Sequence, residues 1–515
     1  MGLDCMWLDD SGNIRTFVVA GKALSLDSNF LNNRVQNVAL SFPDAPEIVT
    51  RHEKLAGEIL KRDLELGPNE SPITKKLDRF AANLERLTML DKLTVPGLNC
   101  HEAVAGIYQS LEKLYKWEIE RLKEQEDMRG RDGATISRTV MCLKSGKPLM
   151  HSRNRLGFSI DYWQEKRLLS KKSTKNEDED DKKWSLLVEV APLPELTYRP
   201  IRVSEKWISD AIKKPNPPVE DLELLFSSED ALDWLEPENT LLSSTKPVEG
   251  DAMEGIDAES KYPAVMFVAK FDPPLIVPYG IAIQIYASCG VPLEFQTTTF
   301  DGILFPHRPE DKHEAGEART IMQETAVPVF SKGGKASTKI HKNTLFIEKI
   351  DYGRILSELP FSHPRQLVEM LPTLRQYAFL STLLLKTFGP NTLPESTSEA
   401  PSLSLSKKDE FLAFMSEDPP FLRNKNLKID VSFSISPSPR LQVVFPFMRQ
   451  TANVTFDIRL NGVVEVASEN IIQRTDGKQK GRMLSSADLG KMLEITEDLG
   501  IWVEFVRRRL GGAQE

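Results

Sequence analysis

Cysteine is scarce in this chain: four residues in 515, Cys5, Cys100, Cys142 and Cys289, with no pair at Cys-x-x-Cys spacing. So few cysteines in so long a chain exclude a disulfide scaffold and point to a reducing compartment. A surplus of positive charge is also missing. The balance of 66 basic against 75 acidic residues gives −9, whereas a body that holds nucleic acid by neutralising phosphates needs a basic excess. Direct nucleic-acid binding is therefore not expected. The one dense basic cluster, Arg507-Arg508-Arg509, follows an apolar run from Ile501 to Val506 and reads as a helix C-terminus that complements the dipole. Long apolar runs are absent too. The nearest approach, residues 377–385, falls far short of the roughly 18 residues needed to cross a bilayer, so no membrane role is expected. Residues 1–20 show no basic stretch followed by an apolar one, and Met6 spoils the lipidation pattern begun by Gly2. The expected location is nucleus or cytoplasm.

Chemistry-bearing constellations are equally sparse. Gly-x-Gly-x-x-Gly and Gly-x-Ser-x-Gly do not occur. Gly333-Gly334-Lys335 has the end of a phosphate loop, but Val329 stands where the first glycine belongs and Ala336 where the Mg²⁺ ligand belongs. It reads as a flexible turn. His307 and His313 share an acidic loop with Glu310, Asp311 and Glu314, at a spacing that fits no compact metal motif. His363 precedes Pro364 at a helix start and reads as a cap or packing residue. No catalytic, cofactor-binding or metal-ligating residue is assigned, and no cofactor is implied.

What is present is ordinary soluble composition, 40% hydrophobic and 27% charged, long enough for about three lobes. The first, 1–130, opens with strands at 3–8 and 14–20 around Asp9-Asp10-Ser11-Gly12-Asn13, with a third at 35–42 carrying Val38, Leu40 and Phe42 on one face. Three helices then follow over 45–126. One is capped at Asp44, one starts from Ser71-Pro72 with a Leu77, Phe80, Leu84, Leu87, Leu90 stripe, and one spans 101–126. The second lobe, 131–360, reads as β-rich, with strands at 137–143, 156–162, 185–191 and 264–271 and a short helix at 278–288. Polar insertions interrupt it near 171–183, 237–261 and 306–323. The third, 361–515, has an apolar helix, a Ser/Pro linker at 389–408 and strands at 427–435, 441–445, 454–460 and 463–466. Asn461-Gly462 is a hairpin turn, and a helix over 486–509 is interrupted at Gly500. The fold class is α+β.

The helix from Phe361-Ser362-His363-Pro364 onward is apolar around most of its circumference, which places it in a core, and Pro372 predicts a kink or break. Leu380-Ser381-Thr382-Leu383-Leu384 spells the Leu-x-x-Leu-Leu docking motif. Its setting in the greasiest helix favours burial.

Several of these segments, taken in order, resemble the Mediator of RNA polymerase II transcription subunit 1 family, in its fungal-type form. The resemblance runs through Phe361-x-His363-Pro364, Leu371, Leu374-Arg375-Gln376, Ala378-Phe379 and Thr382-Leu383. It extends to residues 265–271, Pro273-Pro274-Leu275-Ile276-Val277, Cys289-Gly290-Val291-Pro292-Leu293, and Ile107, Ser110, Leu111 and Leu114. Family members generally carry a helical segment before the first hairpin, while this chain opens almost on a strand; Met1 is read as a start that lacks it. The long tail with receptor-binding Leu-x-x-Leu-Leu boxes found in animal members is also missing, so receptor binding is not carried over to Leu380–Leu384.

The resemblance implies a non-catalytic, nuclear transcription coregulator. Its implied partners are other subunits of the Mediator middle module and DNA-bound activators, with RNA polymerase II reached indirectly. The docking surface expected from the residues is the helical array over 45–126, with Leu93, Val95 and Leu98 as second apolar edges. Two alternatives from other classes are an adaptor switched by phosphorylation at Ser71, Ser436 or Ser438, each followed by proline, and an enzyme with an atypical site.

Overall fold

In the computed structural model the described residues are 3–9, 14–67, 70–168, 182–194, 198–214, 231–242, 261–306, 318–330, 336–349, 351–390, 427–448, 450–472 and 484–511. They form an α+β protein of two compact units, each assembled from segments distant in sequence. Unit 1 takes Met1–Leu275, Gly280–Phe295 and Ile355–Arg375; unit 2 takes Ile276–Tyr279, Gln296–Arg354 and Gln376–Glu515.

Unit 1 begins with an antiparallel meander of β1 (Asp4–Asp9), β2 (Ile14–Ala20), β3 (Ser25–Leu31) and β4 (Arg34–Ser41). The expected hairpin is present, with Asp4 opposite Ala20 and Asp9 opposite Arg15. Strand β3 was not expected: Ser25, Asp27, Ser28 and Asn29 hide the strand period. Asn32 and Asn33, at φ 50° and 61°, make the two-residue left-handed turn that joins it to β4. Val38, Leu40 and Phe42 are buried, as the alternation predicts.

Four helices follow rather than three: α1 (Glu47–Thr50), α2 (Glu53–Leu64), α3 (Asp78–Leu93) and α4 (Cys100–Glu124). The first splits at Arg51-His52, and Pro46, not Asp44, stands at its N-cap position. Helix α3 starts at Asp78, so Ser71-Pro72 sits in a preceding turn instead of capping it. Helix α2 lies tightly on β4, where a Cβ at Gly57 would come within 2.6 Å of the Val38 carbonyl oxygen. Leu26, Leu40, Ala56, Ile59, Leu60 and Leu87 share the resulting core.

The strand expected at 137–143 is helix α5 (Gly133–Leu143). Its β-branched residues suggested a strand, but it buries Ile136 and Val140, four apart, together with Met141 and Cys142. Beyond it lies a five-stranded sheet in the order β13 (Gly353–Phe361), β10 (Val265–Pro278), β7 (Lys183–Pro192), β6 (Phe158–Gln164) and β5 (Lys147–Met150). All seven residues of β6 are buried. Strand β10 continues seven residues past the expected end at 271, through Pro273-Pro274. Two short strands, β8 (Ile208–Lys213) and β9 (Leu232–Trp234), pair with each other, and α6 (Tyr279–Ser288) matches its expected span. The insertion expected near 171–183 lies largely outside the described residues, as do most of 237–261 and of the 389–408 linker.

Unit 2 holds α7 (Phe300–Leu304) and a six-stranded sheet: β11 (Arg319–Phe330), β12 (Ala336–Ile347), β14 (Leu427–Ser434), β15 (Arg440–Phe447), β16 (Gln450–Ile458) and β17 (Val464–Glu469). All neighbours are antiparallel except β12 and β14. Residues 319–323, expected in a loop, belong to β11. Asn461 and Gly462, at φ 60° and 65°, turn β16 into β17 as expected. The C-terminal helix is two, α9 (Ser486–Thr496) and α10 (Leu499–Gly511). The break falls at Glu497, φ 49°, three residues before Gly500. Trp502 is fully buried against Phe445 and Phe456, with ring centroids 5.9 and 5.0 Å away, and its indole N–H donates to the Leu489 carbonyl.

Helix α8 (Pro364–Phe388) runs without a break through Pro372. Its residues up to Arg375 belong to unit 1 and those from Gln376 onward to unit 2.

Candidate interaction surfaces

The residues weighed for chemistry are engaged in holding the fold. His363 has its Nε2–H donated to the Leu235 carbonyl at 2.8 Å, while its Nδ1 accepts the Arg365 amide at 3.0 Å. Burial holds its pKa below the ordinary histidine value, against the opposing pull of the Leu235 carbonyl and Glu236. It is a neutral cap on α8, as its place before Pro364 suggested. Burial pushes the Cys100 and Cys289 thiols up to about 11, far from the thiolate form a nucleophile needs. A notch beside Cys289, lined by Tyr198, Met266 and Phe361, encloses about 10 Å³, room for about one water. His307, His313 and Gly333-Gly334-Lys335 lie outside the described residues. Ala336 nonetheless opens a strand where a phosphate loop would lead into a helix. Among the described residues no cluster of three or more His, Cys, Asp or Glu could hold a metal, and no helix is long and apolar enough to cross a membrane. Leu380, Leu383 and Leu384 are all fully buried, so the Leu-x-x-Leu-Leu motif is core. Arg508 and Arg509 occupy the last turn of α10, the place the dipole argument gave them.

Surfaces remain, and unit 1 carries the most developed ones. Helix α3 is fixed from its inner side by buried polar residues. Asn83 donates to Asp63 at 2.8 Å and to the Asn154 carbonyl at 3.1 Å, and accepts the Leu156 amide at 2.9 Å. Asp91 accepts the Lys22 and Ala23 amides at 2.9 and 2.7 Å, pinning the β2–β3 turn to the end of the helix. These anchors orient the opposite side outward. Leu77, Ala81, Glu85 and Met89 recur every four residues along it, all exposed. Ile73, 95% exposed, precedes them and Val95 follows. Leu98, expected at the same edge, is 2% exposed and closes a small bridge with Val95: its side chain turns into the core because Asn99 starts α4 immediately after it.

Helix α4 is not available in the same way, because the chain's own residues 198–214 cover one side of it. Ser110 donates to the Glu205 carbonyl and accepts the Trp207 amide, both at 3.1 Å. Lys113 reaches the Ser209 carbonyl and the Asp210 carboxylate. Gly106 permits this approach, since a Cβ there would stand 2.0 Å from the Ser204 carbonyl oxygen. The asparagine cap of α4, with Asn99 accepting the His101 and Glu102 amides, sets where the helix starts and so which face meets this strap.

A second apolar surface, which sequence reasoning missed, lies on β1. Among the described residues the strand pairs with β2 alone and so forms the sheet's edge, with Met6, Trp7, Leu8 and Ile14 of β2 all exposed. Trp7 packs at 4.8 Å against Phe17 and 5.6 Å against Phe30, with the Arg15 guanidinium 4.8 Å over its ring. The signal was present as consecutive large apolar residues in a hairpin arm, where a half-buried strand would alternate.

The chain matches the family described as Mediator of RNA polymerase II transcription subunit 1 over residues 1–389. No curated protein matches the sequence. The match covers 389 of 515 residues and takes in the first sheet, the helical array and all of α8. The chain therefore belongs to the Mediator of RNA polymerase II transcription subunit 1 family and is a subunit of that transcription-regulating complex.

Proposed function

We propose that the chain is a non-catalytic subunit of the Mediator middle module that acts in the nucleus, docking on other Mediator subunits and passing signals from DNA-bound activators towards RNA polymerase II. The observation that carries this reading is the family match across 1–389. Its charge of −9 fits action through protein partners rather than through nucleic acid. The docking face is the outer side of α3 and of the turn leading into it, where Ile73, Leu77 and Met89 are exposed and the helix is held rigidly from behind. A partner helix laid along such a stripe buries apolar surface at the spacing this face presents.

The test uses purified Mediator assembled without this subunit, immobilised and challenged with the full chain. Wild type should bind, and Leu77→Asp/Met89→Asp should bind at least tenfold more weakly with an unchanged circular dichroism spectrum. Equal binding by the double variant would remove the docking face from α3. Absence of binding by the wild type would overturn membership of the middle module.

A further inference from the structure

Three serines in the chain precede proline: Ser71, Ser436 and Ser438. A protein kinase must seat an extended stretch of substrate, so the three differ in what they would have to give up. Ser436 and Ser438 lie in the tight connection between β14 and β15. There Ile435 is buried, the Ser434 hydroxyl donates to the Ser436 carbonyl, and the Pro439 carbonyl accepts the Ile458 amide at 2.9 Å. Extending that segment pulls apart the pairing of β14 with β15 in the middle of the six-stranded sheet. Ser71 sits in a turn of exposed residues, 71–74, ahead of α3. The hydrogen bonds around it are local: Thr74 and Lys75 amides to the Ser71 carbonyl at 3.0 and 3.1 Å, and Lys75 Nζ to the Glu65 carbonyl and Glu70. Among the described residues the Ser71 hydroxyl oxygen accepts a long 3.4 Å contact from the Ile73 amide. Opening this turn exposes no core.

We propose that Ser71 is a phosphorylation site for a proline-directed serine/threonine protein kinase, and that phosphate there weakens docking on the α3 face. The second half rests on the docking reading above; the first does not. In the reaction the γ-phosphoryl group of ATP passes to Ser71. The Oγ–P bond forms as the bond to the β-phosphate oxygen breaks, ADP leaves, and the hydroxyl proton goes to the kinase's base. The product places a charge of about −1.5 to −2 two residues from Ile73 and six from Leu77. An apolar partner covering those side chains would have to strip water from the phosphate. The Thr74 and Lys75 amides are already given to the Ser71 carbonyl, and Lys75 is engaged by Glu70 at 3.2 Å, so the new anion would have to compete with these acceptors for its donors.

The full chain would be incubated with a proline-directed kinase and ATP, natively folded or heat-denatured, and mapped by phosphopeptide mass spectrometry. Native protein should carry phosphate on Ser71 and lack it on Ser436 and Ser438, with Ser71→Ala abolishing the signal. Modification of Ser71 only after denaturation, or in neither sample, would overturn the site. Phosphorylated chain and kinase-treated Ser71→Ala would then be compared on immobilised Mediator lacking this subunit, with at least a fivefold weaker interaction expected for the former. If Leu77→Asp/Met89→Asp loses binding and the phosphorylated chain does not, the regulatory step fails while the docking face stands. If neither loses binding, both the face and its regulation fail, whatever the mapping shows.

Discussion

Replacing Arg375 with methionine should destabilise unit 1 by about 3 kcal/mol, and the structure says where the loss will appear. Arg375 is fully buried on α8. Its Nε–H donates to the Tyr162 carbonyl of β6 at 3.0 Å, and its Nη2 group donates to the Met141 carbonyl at 3.0 Å and to the Lys144 carbonyl. The latter two are at the C-terminal end of α5, where carbonyls have no partner within the helix and the dipole favours a cation. Burial lowers the pKa of this guanidinium to about 10, so it remains charged at neutral pH. Methionine fills the stem but leaves the buried Tyr162 and Met141 carbonyls and the part-buried Lys144 carbonyl unmet, at about 1–3 kcal/mol each, with Lys144 at the low end. Relief of the guanidinium's desolvation, worth several kcal/mol, offsets part of that sum. The low end, about 3 kcal/mol, is a large share of a typical 5–15 kcal/mol stability. Because two units need not unfold together, hydrogen exchange read by mass spectrometry is the assay of choice. Protection should fall first in Gly133–Leu143 and Phe158–Gln164, with Arg375→Lys intermediate because one ammonium spans fewer carbonyls. An Arg375→Met protein within about 0.5 kcal/mol of wild type, or one losing protection evenly, would refute the role assigned to this side chain.

Two further outcomes follow from unit 1. Gly106→Ala should lift residues 198–214 off α4 and cost about 1–3 kcal/mol, seen as faster exchange at Ile208–Lys213 with α4 itself retained; unchanged exchange there would show that the strap adapts. Acid should weaken the same unit: burial lowers the His101 pKa to about 4, so between the unfolded value near 6.5 and pH 4 the unfolded chain binds a proton that the folded one refuses. Stability is therefore lost as pH falls through that window, by about 1.36 kcal/mol per unit, and His101→Phe should flatten that part of the denaturation profile. A profile identical to wild type would assign the acid sensitivity elsewhere.

The sequence made legible those elements whose local chemistry and burial agree. Asn461-Gly462 could only turn, the long apolar face of α4 could only pack inward, and the density of leucine on α8 could only be core. Misreadings came where tertiary context overrode local signal. Residues 137–143, with β-branched Thr139 and Val140, looked like a strand, yet their end is capped from α8 by a residue more than two hundred positions away. In β3 a polar segment becomes strand because Leu26 and Ser28 turn inward while the whole segment pairs across the ladder on both sides. Leu98 looked like an edge because exposure depends on where α4 begins, two residues later after the Asn99 cap. On α3 the stripe Leu77, Phe80, Leu84, Leu87 and Leu90 was visible, but the outward side with Ala81 and Met89 was not, and Leu77 belongs to that exposed side. Which side faces outward was settled by Asn83 and Asp91, polar residues whose burial no periodicity announces.

The parallel pairing of β12 with β14 also has a consequence for how the protein is made. His341 lies opposite Leu427, 86 positions later (427 minus 341). At translation rates of about 5–20 residues per second, roughly 4–17 seconds separate the appearance of the two strands. Over that interval the β11–β12 hairpin has emerged with an unpaired edge carrying Ile340 and Phe346, a template for pairing with a neighbouring nascent chain. Yield of this subunit should thus depend on chaperone capacity at the ribosome, and slowing translation between codons 348 and 427 should lower it while the folded product stays as stable as before.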